Sequence, residues 1–202
     1  MKDEMDILRE VSSIAAGHGS IALSEMMGRK LDLDLPSLEM VPAASVTNKI
    51  QADLIVLSVA CNILSGIKGE IIFVLDEKSA FKLIDLCYRA RPEDKKSGLF
   101  TEMGLSLIKE VGNIIISSYV GALSMILKTV VIPSTPTLVS GSLQQVLSMA
   151  VSPFSSSSMI LLVEAVFIEP QEKITGKFYL VLNAETIQTI QDSCKKILEG
   201  LQ

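Results

Sequence analysis

The chain is written twice, and that constrains its fold more than any other feature. Asp6 and Ser106, Glu10 and Glu110, Ser13 and Asn113, Gly17 and Ser117, and Pro36 and Pro136 each differ by 100 positions. Further along, GEIIFVLDEKSAFKLIDLC from Gly69 matches GKFYLVLNAETIQTIQDSC from Gly176 at an offset of 107, aligning Asp76 with Asn183 and Cys87 with Cys194. The growth in offset places extra residues in the second copy, in its Ser-rich stretch between the first strand and the later pair. A period near 100 is too long for a stacked solenoid, whose units are roughly 20 to 50 residues. It implies two copies of a larger unit that pack against each other with pseudo-twofold symmetry.

The unit reads as α-β-β-β-α. Asp6 to Arg29 has the helical period, with Ile7, Leu8, Val11, Ile14, Ala15, Ile21 and Ala22 on one side and Asp6, Glu10, Ser13 and Gly17 on another. Gly17 and Gly19 within this helix predict close packing against a neighbour. LDLDLPSLEMVP alternates as a strand, with Pro36 and Pro42 marking a bend or strand ends. Ala52 to Ile63 and Gly69 to Leu75 are strand candidates separated by a Ser-Gly turn, and Glu77 to Tyr88 is helical. The charged segment ARPEDKKSG reads as a linker. The pattern then restarts: a helix over Leu99 to Lys128, VVIPSTPTLV, an uncharged Ser-rich segment, strands MILLVEAVFI and GKFYLVL, and a closing helix from Ala184 to Leu201. The fold class is therefore α/β in the broad sense, more closely α+β: one domain over 1–202 made of two repeats, approximately 1–90 and 99–202. The strands are expected in one sheet or two abutting ones, with helices packed against them.

Composition narrows the function classes. Apolar residues make up 49% of the 202 and charged residues 20%, enough to bury a sizeable core without disorder. With 4% aromatics, no Trp and a net charge of −5, the chain offers neither a stacking platform nor a basic footprint for nucleic acid or an anionic membrane. Mean hydropathy is positive, but the longest uncharged run, Thr129 to Val163, is interrupted by Pro133, Pro136 and Pro153. No stretch approaches the roughly 20 consecutive apolar residues of a spanning helix. The acidic start MKDEMDILRE has no apolar signal core. A soluble cytoplasmic protein is the expectation. Three cysteines without a CxxC pair, and one histidine, argue against a disulfide framework or a zinc site. Cys61, Cys87 and Cys194 are expected to be buried thiols, and no metal site is expected. His18 is expected to be a packing residue.

The polar residues of the second long helix stand out from this background. Ser106, Glu110 and Asn113 are spaced i, i+4, i+7, which places them on one narrow stripe that Ser117 continues. Such a stripe is also the ordinary look of a solvated helix face. A solvated face, however, has no need to repeat Glu at the same helical position and Pro at the same distance downstream. Glu110 and Asn113 are therefore candidate site residues.

The repeated pattern, D or S, x3, E, x2, N, x22, P, resembles the motif of the CheC-type chemotaxis phosphatases, the family that includes CheX and FliY. In the second half the match is complete through Ser106, Glu110, Asn113 and Pro136. In the first half Asp6, Glu10 and Pro36 fit, but the amide position holds Ser13. The resemblance implies a phosphatase that hydrolyses the aspartyl phosphate of a phosphorylated CheY-type response regulator, with Glu110 and Asn113 as catalytic residues. It implies a degenerate second site at Glu10 and Ser13, with Asp6, Ser106, Pro36 and Pro136 supporting the motif. No cofactor of its own is implied, since Mg²⁺ would come with the bound regulator. A CheD partner is a further expectation, and the alternative function is a CheD-binding adaptor of chemotactic adaptation with little phosphatase activity. Two halves able to cover each other's apolar faces favour a monomer.

Overall fold

The structure, a computed structural model, describes residues 4–49, 54–89, 101–154 and 159–199. The first copy of the repeat supplies α1 (Glu4–Met27), β1 (Asp32–Pro42), a 3-10 turn (Ala43–Lys49), β2 (Ile55–Ser65), β3 (Gly69–Asp76) and α2 (Glu77–Arg89). The second supplies α3 (Glu102–Leu127), β4 (Ile132–Pro133), β5 (Thr137–Ser142), α4 (Leu143–Val151), β6 (Met159–Glu169), β7 (Ile174–Asn183) and α5 (Ala184–Glu199). The linker read at 90–98 lies outside the described residues.

All seven strands join one antiparallel sheet in the order β1-β6-β7-β3-β2, with β4 and β5 both bonded to the outer side of β2. The order is a palindrome of the repeat, because each copy's first strand crosses over to pair with the other copy's second. β1 lies on β6, and β5 lies on β2. The pseudo-twofold axis passes between Ile72 and Tyr179, which pair across the β3–β7 ladder and are each other's equivalents at the offset of 107. The copies therefore cannot be pulled apart without breaking backbone ladders at both outer strand pairs.

Local chemistry sets the joints. Asp76 Oδ1 accepts from the backbone N–H of Ser79 at the start of α2, and its equivalent Asn183 Oδ1 accepts from Thr186 N–H at the start of α5. Both satisfy an orphan donor of a first helical turn. The β2–β3 turn needs its glycine: Gly66 has φ +85°, and a Cβ there would meet the Val130 carbonyl oxygen at 2.4 Å. On the edge strands the ladder breaks where the repeated prolines fall. The β1–β6 register shifts between Asp34 and Ser37, and β4 ends at Pro133 before β5 begins at Thr137.

The Ser-rich segment departs from the sequence reading, since it contains a helix. α4 begins with a full capping box, in which Ser142 accepts from the Gln145 backbone and the Gln145 side chain accepts from Ser142 N–H. The S-x-x-Q signature was present in the sequence, but the surrounding serines and prolines masked it.

The sheet is covered on both faces. α1, α2, α3 and α5 pack on one face against Val59, Ile71, Phe73, Phe167, Phe178 and their neighbours. The second face carries a smaller cluster in which Val41, Ile72, Val74 and Val181 meet Val46 of the 3-10 turn and Leu143, Val146 and Leu147 of α4. By length and composition α3 could cross a membrane, contrary to the sequence expectation, but half of its most apolar window is buried inside the protein. Its hydrophobicity is that of a helix laid on a sheet.

The second face also buries a charge. Glu70 is 8% exposed, and burial pushes its carboxyl up to about 7. The folded state holds this proton to higher pH than the unfolded chain does. Stability should therefore fall as pH rises from about 4.5 through about 7, and level off above. Glu70→Gln removes the ionisation. It is expected to raise Tm relative to the parent at pH 8, by an amount worth at most about 3 kcal/mol, with the gap closing towards pH 4.5. Thermal melts across that pH range check it.

Candidate functional site

α3 is mounted so that one face is locked and the other free. Its N-terminus is capped by the Thr101 hydroxyl, which accepts from Gly104 N–H at 3.1 Å, and its C-terminus ends at Lys128 in the left-handed region, φ 49°. Ile108, Val111, Ile115, Ile116, Tyr119 and Leu123 are buried against the sheet, and the Tyr119 ring lies 4.5 Å from that of Phe178. Gly112 marks the closest approach. A Cβ at that position would stand 2.5 Å from the Cβ of Val59 in β2, so the helix backbone rests directly on the strand.

The polar stripe points the other way. Ser106, Glu110 and Ser117 are exposed, and Asn113 is half-buried. The Ser117 hydroxyl donates to Asn113 Oδ1 at 3.4 Å, a long bond that biases the carboxamide and leaves it accessible. Glu110 and Asn113 thus share one outward turn and flank the glycine that fixes the height of the helix above the sheet. A carboxylate and a carboxamide at this spacing can hold a cation and a water side by side, and neither is sunk in a pocket.

α1 carries the equivalent constellation with different chemistry. Asp6 and Glu10 are exposed, Ser13 is half-buried, and Arg9 donates to Asp6 at 3.3 Å. The position equivalent to Gly112 is Ser12, which is buried and lies beside the Tyr119 hydroxyl. Gly19 packs against Ile115 as its small size predicted, 3.5 Å from where its Cβ would be, whereas Gly17 faces open space. The contacts Ser12–Tyr119 and Gly19–Ile115 run in opposite senses along the two helices. α1 and α3 are therefore antiparallel, and the two stripes stand toward opposite ends of the pair.

Other sequence candidates fall as follows. Pro136 lies in the gap between β4 and β5, and Pro36 at the register shift of β1. His18, expected in packing, is exposed, as are Ile14 at 46% and Ile21 at 59%, because the sheet takes a narrower stripe of α1 than the period suggested. Cys61 is buried and Cys87 half-buried, both as free thiols; burial, and then the charge of Glu70, pushes Cys61 up to about 11. The Cys194 side chain lies outside the described residues. Sequence reasoning missed Gly112, which its place inside the apolar run between Glu110 and Asn113 could have flagged.

The site is thus an outward Glu-x-x-Asn turn on one of two long helices that lie over a palindromic antiparallel sheet. Residues 103–140, which span α3, β4 and most of β5, match the model of the CheC-like family. The chain is 29% identical over 136 residues to the CheY-P phosphatase CheC of Bacillus subtilis, covering 67% of this chain and 65% of that protein. It is 24% identical over 123 residues to the flagellar motor switch phosphatase FliY of the same organism, covering 61% of this chain and 32% of FliY. Thermotoga maritima FliY has the same fold, with a TM-score of 0.76 at 22% identity over 97% of this chain and 98% of that one. The family resemblance read from the repeated motif is borne out.

Proposed function

We propose that this protein hydrolyses the aspartyl phosphate of a phosphorylated CheY-type response regulator, using Glu110 and Asn113. The observation that carries the reading is the outward turn of α3, which presents both side chains on a rigidly seated helix within the segment that matches the CheC-like family. An aspartyl phosphate is already a reactive acyl phosphate, so the missing ingredient is a water held in line with the phosphorus. A carboxamide can donate to and accept from that water without titrating near neutral pH. Asn113 takes this role in the proposal. Glu110 pairs with the regulator's active-site lysine and sets the docking register. Mg²⁺ belongs to the regulator's site. An exposed helix face suits this division of labour, because it can enter a partner's active site where a pocket could not.

Glu10 and Ser13 form the degenerate copy. A hydroxyl is shorter than a carboxamide and lacks its planar donor–acceptor pair, so the water would be reached poorly. Ser106, Asp6, Pro36 and Pro136 support the two motifs in this scheme. A cytoplasmic location and a CheD-type partner go with the same reading.

The test is decay of a phosphorylated regulator mixed with catalytic amounts of this protein. Multiple turnovers are expected; stoichiometric binding with unchanged decay would overturn the enzyme reading and favour the adaptor. Restoring the amide by Ser13→Asn is expected to raise the rate per molecule by up to about twofold, as two independent sites would add.

A further inference from the structure

On the face of the sheet beneath α4, opposite the face that α3 covers, the fold buries a carboxylate. Glu70 is more than nine-tenths buried, and its Oε2 has no hydrogen-bond partner among the described residues. It lines a cleft of about 230 Å³ whose apolar walls are Ala60, Ile72, Val139, Val146 and Met149, with exposed Asn62 beside it. A buried acceptor left unmade is an expense that native structures rarely carry without a reason.

The internal repeat supplies a comparison within the same molecule. Ala60 pairs with Ile72 across β2–β3, and Glu164 pairs with Tyr179 across β6–β7. At the offset of 107 Ile72 corresponds to Tyr179 and Glu70 to Lys177, so Ala60 corresponds to Glu164. The twin cleft, of about 370 Å³, is lined by Glu39, Glu164, Lys177 and Tyr179 among others. There the charges satisfy each other: Lys177 Nζ lies 3.0 Å from Glu164 Oε1, and the Tyr179 hydroxyl donates to the same oxygen at 3.2 Å. Around Glu70 the equivalent positions hold Ala60, Ile72 and, across from Glu39, Val139. The counter-charge that the twin builds in has no counterpart there among the described residues.

We propose that the Glu70 cleft binds a primary ammonium group carried on a short unbranched alkyl chain, with Glu70 as its counter-ion and the apolar walls enclosing the chain. An anion would meet the carboxylate unfavourably, and a purely apolar ligand would leave Oε2 unpartnered. A guanidinium brings five donors, whereas an ammonium brings three, matching the carboxylate and the Asn62 amide oxygen. In walls of this polarity the ion pair is only weakly screened. Binding draws on the ionised form of Glu70, which burial holds protonated up to about pH 7. The facing elements β5 and α4 carry no charged residue, and no other titratable side chain among the described residues lines the cleft. The Cys61 thiol on β2 is the neighbouring titratable group, and it stays neutral well above this range.

The test titrates the whole protein with butylammonium, and with 1-butanol as the neutral isostere, followed by amide chemical shifts. Shifts are expected around Ala60, Ile72 and Met149, with the ammonium favoured about tenfold or more, the factor of one well-made charged contact. That preference should vanish in Glu70→Gln and persist in Glu164→Gln. Affinity for butylammonium should rise about tenfold from pH 6 to pH 8 in the parent and stay flat in Glu70→Gln. Nα-acetyl-lysine methylamide distinguishes the source: tighter binding than butylammonium assigns the ammonium to a polypeptide lysine, and weaker binding to a free amine. Equal response to butylammonium and butanol, or a preference that survives Glu70→Gln, overturns the proposal.

Discussion

Asn113→Ala is expected to reduce the dephosphorylation rate by about 100-fold, the loss typical when a reacting group is no longer held in place. The side chain is half-buried on an outward turn, so the fold should survive its truncation. The affinity for the phosphorylated regulator should be nearly unchanged, since in the proposed scheme the amide acts on the water and the docking surface is left intact. Glu110→Ala should divide the other way, raising the concentration of regulator needed for half-maximal rate and weakening the dependence of that concentration on salt. Steady-state decay measurements on both variants, with melting curves as the folding control, check the pair. If Asn113→Ala kept most of the parent activity, the assignment of this turn as the site would fail.

Gly112→Ala should be the most damaging conservative substitution in α3. The new methyl would lie 2.5 to 2.8 Å from three atoms of Val59, a residue with no exposed surface in the sheet. Neither the strand nor the helix can give way without disturbing Ile108, Ile115 and Tyr119. Overpacking of this kind costs about 3 kcal/mol, equivalent to a drop in Tm of roughly 6 to 12 °C for a domain of this size. Gly121→Ala is the matched control. It is exposed with nothing within 4 Å, so the gain in helix propensity should stabilise by about 0.5 to 1 kcal/mol. Thermal melts of the two variants should move in opposite directions. In Gly112→Ala, activity should fall further than stability explains, because lifting the helix displaces the two residues that flank the glycine.

Much of this was legible in the chain. The strands and the long helices followed from period and turn chemistry, because each depends on neighbours a few residues away; the pairing of Asp76 with Asn183 was read by subtraction, but their role as caps came from the structure. The equivalence of the two stripes could be read by subtraction, and with it the odd residue at Ser13. α4 could be seen only as an S-x-x-Q in an unpromising setting. The exposure of Ile14, Ile21 and His18 was misread, because amphipathic period gives the direction of a buried face but not its width. How much of a helix is covered depends on the surface it meets.

By itself the sequence determined that the protein is two copies of one α-β-β-β-α unit and that only the second carries the complete Glu-x-x-Asn pattern. Both are matters of order along the chain. Tertiary structure alone decided that the copies exchange their first strands into one palindromic sheet, that the backbone at Gly112 rests on Val59, and that Glu70 is buried without, among the described residues, a counter-charge like the one Glu164 gives its twin Lys177. Those outcomes depend on pairing between segments about 100 residues apart. A ladder's partner and a buried ion's surroundings are set by what the rest of the chain brings to that place, and no local pattern encodes them.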